Sequence, residues 1–113
     1  MSRPPASVRA ELRGAETWVV VEGDLDVAVL PAAESVLLEA AGADRPVVVD
    51  LRSCDFVDSS GLRVLYQAHL VAGRRGGGVA IVPSMSARRA IELAGFEGEL
   101  VLREAGEPPA QAV

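Results

Sequence analysis

The sequence predicts a small α/β domain: a mixed, mostly parallel β-sheet with helices mainly on one face. Three observations carry that prediction. Pro46 to Val49 is a short, β-branched apolar run, the pattern of a strand buried on both faces. Further apolar runs at Thr17 to Glu22 and Val79 to Val82 lie on either side of it in the chain. Between and beyond these runs, apolar residues recur at helical spacing. The order is β-β-α-β-α-β-α-β. Helices that link successive strands imply right-handed crossovers and parallel pairing.

Each element has its own signals. Ser7 to Leu12 alternates weakly, as an edge strand does, and Arg13-Gly14-Ala15-Glu16 reads as a turn. Ser7–Leu12 and Thr17–Glu22 then form a hairpin, with Gly23-Asp24 breaking the second strand. From Leu30 the apolar positions fall at 30, 33, 37, 38 and 41, a helical face. Pro31 sits near that helix start, where its missing N–H costs little, and Gly42 fits the stop. Pro46 to Leu51 is the central strand. A second helix runs from about Ser60 to Ala72, with Leu62, Leu65, Tyr66 and His69 on one face. Arg74 and Arg75 follow it, at the negative end of its dipole.

Val79 to Val82 is a fourth strand. Ser84 or Ser86 caps a third helix whose Ala87, Ala90, Ile91 and Ala94 share a face, and Gly95 ends it. Leu100 to Leu102 is a short last strand. The 113 residues fit one domain, with an ordered core over about 7–104 and flexible tails at 1–5 and 105–113.

Composition narrows the function. Half the residues are hydrophobic and 4% are aromatic, so the core is built from Val, Leu, Ala and Ile. The formal net charge of −5 argues against nucleic-acid binding, which needs a basic surface. It fits a protein that meets a basic partner. No apolar run approaches the ~20 residues that cross a bilayer, and Met1-Ser2-Arg3-Pro4-Pro5 leads into no signal-peptide core. A cytoplasmic protein without direct membrane insertion is expected. The lone Cys54 fits that compartment and allows no intrachain disulfide. One His, one Cys and no clustered ligand spacing point to no metal and no cofactor. Phe56 reads as core, with the rim as the alternative, and His69 as a half-buried residue of an apolar helix face.

The chemistry concentrates in Asp58-Ser59-Ser60-Gly61-Leu62. All three leading residues are N-cap types, and they stand where a buried strand has ended and a helix begins. A helix start offers free N–H groups and a positive dipole end. A serine there is open to a partner, and a phosphate on it is electrostatically tolerated. Ser59 and Ser60 read equally as plain capping residues, and Asp58 as a cap. Gly61 fits a close approach or an unusual backbone angle.

With these residues the sequence resembles the STAS domain family, in particular the bacterial anti-sigma factor antagonists. Asp58-Ser59-Ser60-Gly61-Leu62 is similar to the family's phosphorylation loop. Val19-Val20-Val21-Glu22-Gly23-Asp24-Leu25-Asp26 is similar to its strand ending in Gly-Glu/Asp-Leu-Asp. Val79-Ala80-Ile81-Val82-Pro83-Ser84 and Ile91-Glu92-Leu93-Ala94-Gly95-Phe96 are similar to its fourth strand, third helix and closing turn. The resemblance spans roughly residues 7–104 and implies a STAS fold. It departs at Val27-Ala28-Val29, where many members carry a small hydroxyl residue soon after the Asp, and at the short C-terminal region.

The resemblance implies an anti-sigma factor antagonist. The unphosphorylated form would bind an anti-sigma factor, a serine kinase with a histidine-kinase-like ATPase fold, and so release a sigma factor. Phosphorylation of Ser59, with Ser60 as the alternative, would end that binding, and a serine phosphatase would reset it. Asp24, Asp26, Asp58, Ser59, Ser60, Gly61 and Leu62 would form the partner-binding surface of a chain that is itself no enzyme, and the small size and acidic surface fit a monomer. The alternative is a non-switching STAS adaptor or scaffold, for example in a membrane lipid-transport complex. An enzyme using Ser59 or Cys54 is a poorer fit, because His69 lies mid-helix without an orienting acid.

Overall fold

The computed structural model describes residues 6–96 and 98–104. The expected tails at 1–5 and 105–113 lie outside them. The elements are β1 (Ser7–Arg13), β2 (Glu16–Leu25), α1 (Leu30–Gly42), β3 (Val47–Val57), α2 (Ser59–Gly73), β4 (Val79–Pro83), α3 (Met85–Leu93) and β5 (Val101–Leu102). They form one five-stranded sheet in the order β1-β2-β3-β4-β5. β1 pairs antiparallel with β2, and the other three pairings are parallel. The predicted element order and mixed sheet are therefore present.

All three helices lie on one face. Val19, Val21, Val47, Val49, Leu51, Val79 and Ile81, taken from alternate positions of β2, β3 and β4, share one core cluster with Leu37, Leu65 and Ile91 of the helices. The intervening Trp18, Val48 and Val82 form a separate small cluster on the opposite face. No helix contributes to that cluster. Instead Arg13 stacks over Trp18 at 4.2 Å, with Arg103 at 5.6 Å. Val47, Val48 and Val49 are all buried, as expected of a strand covered on both faces.

Two boundaries differ from expectation for the same reason. Gly23-Asp24 does not end β2. Gly23 takes a positive φ of 90°, and the β2–β3 register shifts between Val20 and Glu22 and again between Glu22 and Asp24. These irregularities absorb the glycine, and β2 continues to Leu25. β3 continues alongside it to Val57, beyond the expected Leu51, although its outer half is polar. Burial there falls at Leu51, Cys54 and Val57 instead of alternating. Cys54 and Val57 take the inward places, so Phe56, expected in the core, is half exposed at 51%.

The helix ends also sort themselves out. Ser84, not Ser86, caps α3: its Oγ accepts from the Ala87 N–H at 3.0 Å and donates to the Cys54 carbonyl at 2.7 Å. Ala94, expected on the buried face of α3, is its exposed C-cap. Gly95 follows with a φ of 80°, and the Phe96 N–H donates back to the Ile91 carbonyl at 3.0 Å, closing the helix in the left-handed manner. Phe96 then packs against Tyr66 of α2. Arg75, expected to serve the end of its own helix, serves α1 instead. Its guanidinium donates to the Ala41 carbonyl and lies 3.6 Å from Asp44. The chain turns back after α2, which carries Arg75 across to the neighbouring helix end.

Candidate functional site

β2 and β3 run in parallel and end together, with Asp24 beside Phe56 and Leu25 beside Val57. The Asp58 N–H then donates to the Leu25 carbonyl at 3.2 Å, so the first residue past β3 is still tied to β2. Asp58 has extended backbone, and its Oδ1 accepts from the Gly61 N–H at 2.9 Å. Its carbonyl accepts from Leu62, the first bond of α2, at 3.0 Å. Asp58 is therefore the N-cap. Ser59 and Ser60 are the first two helical residues, so the capping role open to them in the sequence belongs to their neighbour. The Asp58→Ala chain should lose about 1 kcal/mol of stability in urea titration, while Asp58→Asn retains most of it.

Ser59 is exposed and Ser60 is half-buried. The N–H groups at the start of a helix have no intrahelical acceptor. Ser59 therefore presents its hydroxyl at the positive end of a fifteen-residue helix. Gly61 lies beneath it. A Cβ there would sit 2.7 Å from the Leu25 carbonyl oxygen and 2.9 Å from Leu25 Cγ. The close approach Gly61 permits is thus to the end of β2, with no positive φ involved. Leu62 is buried in the core and anchors the first turn. Gly61 and Leu62 lie under the surface and set its shape.

The aspartates reach the same end of the sheet by different routes. Asp24 is half-buried on β2. Asp26 follows β2, and its Oδ1 accepts from the Ala28 N–H at 3.0 Å while its carbonyl accepts from Val29 at 3.1 Å. That turn sends the chain into α1 and leaves Val27 70% exposed. Asp24, Asp26, Asp58, Ser59 and Ser60 thus share one rim, at the carboxyl ends of β2 and β3. Cys54 lies under it, fully buried, its Sγ donating to the Phe56 carbonyl at 3.3 Å. Burial pushes its thiol up, and the nearby charges of Asp24 and Asp55 add to that. A thiol so held is a poor nucleophile.

One exposed apolar residue, after the carboxyl end of β4, escaped the sequence reading. Met85 is 90% exposed at the start of α3, and the Ser84 N–H before it donates to the Leu51 carbonyl. Phe56 faces outward beside Asp24. Met85 had no sequence signal beyond being apolar, and the irregular end of β3 turns Phe56 out. His69 is half-buried on α2, and its Nδ1 accepts a weak bond from the Val79 N–H at 3.5 Å. Among the described residues, no His, Cys, Asp and Glu cluster that could hold a metal ion occurs, and no helix is long and apolar enough to cross a membrane.

Comparison with known proteins agrees with this fold. A comparison with curated protein sequences gave no match. Among solved structures, the chain is similar to an anti-sigma factor antagonist from Mycobacterium paratuberculosis. The identity is 27%, with 90% of this chain and 89% of that one covered and a TM-score of 0.80. It is also similar to the STAS domain of an antisigma-factor antagonist from Rhodobacter sphaeroides. There the identity is 30%, with 75% and 94% covered and a TM-score of 0.58. The fold further matches the anti-sigma factor antagonist SpoIIAA in its unphosphorylated form, at 16% identity, 88% and 90% coverage and a TM-score of 0.73. The family model described as "Mlab, STAS domain" matches residues 8–104. With that match spanning β1 to the end of the described core, the chain belongs to the STAS domain family.

Proposed function

We propose that this protein is an anti-sigma factor antagonist whose partner binding is switched off by phosphorylation of Ser59. The observation that carries the proposal is the exposed Ser59 hydroxyl at the start of α2, on a rim that also holds Asp24, Asp26 and Asp58. The similarity to anti-sigma factor antagonists supports the same reading. The partner is an anti-sigma factor serine kinase, and a serine phosphatase reverses the mark.

In this reading the chain is a substrate and a binding module, and not an enzyme. The kinase supplies ATP and the base. Its γ-phosphoryl group passes to Ser59 Oγ, whose proton leaves to that base. The product carries about −1.5 to −2 charge. The free N–H groups and dipole of α2 offset part of it, so the backbone stays in place. A partner fitted to the unmodified rim then meets added bulk and negative charge. Ser60 is the alternative acceptor, but it is less exposed.

A second reading is favoured by the family description, which names Mlab. There the chain is a non-switching adaptor, and Ser59 is simply a helix-start residue. The two readings separate in one experiment. The protein is incubated with ATP and each anti-sigma kinase of its genome, and modified sites are mapped by mass spectrometry. Phosphate on Ser59, lost in Ser59→Ala, is expected. Ser59→Ala should still bind the kinase, and Ser59→Asp should bind about tenfold more weakly, ~1.4 kcal/mol. Absence of phosphate with every kinase, together with co-purification of a membrane permease, would establish the adaptor instead.

A further inference from the structure

β1 lies at the edge of the sheet, and among the described residues only β2 pairs with it. An edge strand presents a row of backbone donors and acceptors to any strand that fits. The side chains of β1 divide cleanly between the two faces. Ser7, Arg9, Glu11 and Arg13 stand opposite Glu22, Val20, Trp18 and Glu16 of β2, on the helix-free face. Val8, Ala10 and Leu12 point to the helix side. Val8 packs partly against the main core. Leu12 is 73% exposed, an apolar side chain at the end of a covered face.

We infer that β1 pairs antiparallel with β1 of a second copy of this chain, about a twofold axis through Ala10 and normal to the sheet. The sequence Val8-Arg9-Ala10-Glu11-Leu12 is self-complementary in charge and in polarity about that centre. Arg9 of each copy stands opposite Glu11 of the other, on the helix-free face. Leu12 of each copy stands opposite Val8 of the other, on the helix side, which covers the exposed leucine. Neighbouring registers fail. Centred on Arg9, the two Arg9 side chains meet; centred on Glu11, the two Glu11 side chains meet and Arg9 faces Arg13. Like charges directly opposite are destabilising.

Within one chain, Arg9 already pairs with Glu11 at 2.8 Å and with Glu22 at 3.0 Å. The second copy extends this ladder across the junction into one ten-stranded sheet. Both sets of helices stay on the same side. The two Ser59 rims point in opposite directions, so the dimer does not depend on the phosphorylation reading. A seven-residue edge buries less than the ~1,200 Å² typical of stable complexes, so the dimer is weak and concentration-dependent.

Sedimentation equilibrium of the full chain tests this. The mass of the wild type should rise from monomer toward dimer as concentration rises to about 1 mM, the dissociation range of a weak contact. Arg9→Glu and Glu11→Arg, each confirmed folded by circular dichroism, should remain monomeric alone because each opposes like charges. Mixed in equal amounts, they should pair with each other. Ala10→Cys should oxidise to a covalent dimer, since directly opposed strand residues lie about 4.5–5.5 Å apart at Cα, within disulfide reach. Glu92→Cys, on the exposed face of α3, is the control. A wild type that stays monomeric throughout, charge variants that dimerise as well as the wild type, or Ala10→Cys linking no faster than Glu92→Cys would each overturn the inference.

Discussion

Arg103→Ala should destabilise the protein by about 3–5 kcal/mol, the cost of stripping the partner from a buried charge. Arg103 follows β5 and pairs bidentately with Glu16, at 2.9 Å and 3.2 Å, across 87 residues of sequence. Both side chains are at most 10% exposed. Trp18 Nε1 also donates to Glu16, at 3.1 Å, and the Arg103 backbone N–H donates to the Ile81 carbonyl. Truncating Arg103 leaves the Glu16 carboxylate with one indole N–H as its side-chain donor. A urea titration that moves less than 1 kcal/mol, roughly the worth of an exposed pair, would show that water reaches Glu16.

The same pair sets a pH dependence. Hydrogen bonds from Arg103, and less so from Trp18, hold the Glu16 carboxyl below its ordinary value of 4.5 although burial opposes this. A depressed folded-state pKa contributes stability that is fully present above the unfolded value. It is lost as pH falls below about 4.5 and through the folded value. Glu16→Gln should therefore show a shallower fall in urea midpoint than the wild type in that acid window. Some slope remains, because Asp50 is also held low. Burial opposes its ionisation, but hydrogen bonds from Arg52, at 2.8 Å and 3.0 Å, outweigh it. The paired change Glu16→Leu with Arg103→Met should recover most of the lost stability, because it removes the desolvated charges together.

Gly61→Ala should cost about 1–3 kcal/mol by overpacking. Helix propensity alone favours alanine over glycine by about 1 kcal/mol. Sterics win because the added Cβ would stand 2.7 Å from the Leu25 carbonyl oxygen, which is backbone and cannot swing aside. Gly73, at the far end of the same helix, is the control. A Cβ there meets nothing within 4 Å, so Gly73→Ala should be neutral or slightly stabilising. The Gly61 change should also move the first turn of α2 away from β2. If Ser59 is the phosphoacceptor, its phosphorylation should slow in step. Equal urea midpoints for the two alanine variants would mean that the helix start tilts without strain.

Much of this protein is legible in one dimension because its signals are local. β-branched runs, apolar spacing of three and four, and cap residues are properties of neighbours in the chain. They determine the order of elements, the one-sided helices and the helix start at Asp58 to Leu62. The family likeness adds Asp24 and Asp26 to that start. Other features were decided only by tertiary structure. β3 runs on past its apolar half because β2 lies beside it to pair with, bulges included. That continuation turns Phe56 outward and Cys54 inward. Gly61 acquires its necessity from Leu25, and Arg75 finds the end of α1. Glu16 meets Arg103 because the sheet brings β2 and the close of β5 onto one face, a contact no local pattern announces. Hydrophobic periodicity reports which side of an element is buried; which element covers it, and which charge is buried with it, depends on packing between segments far apart in the chain.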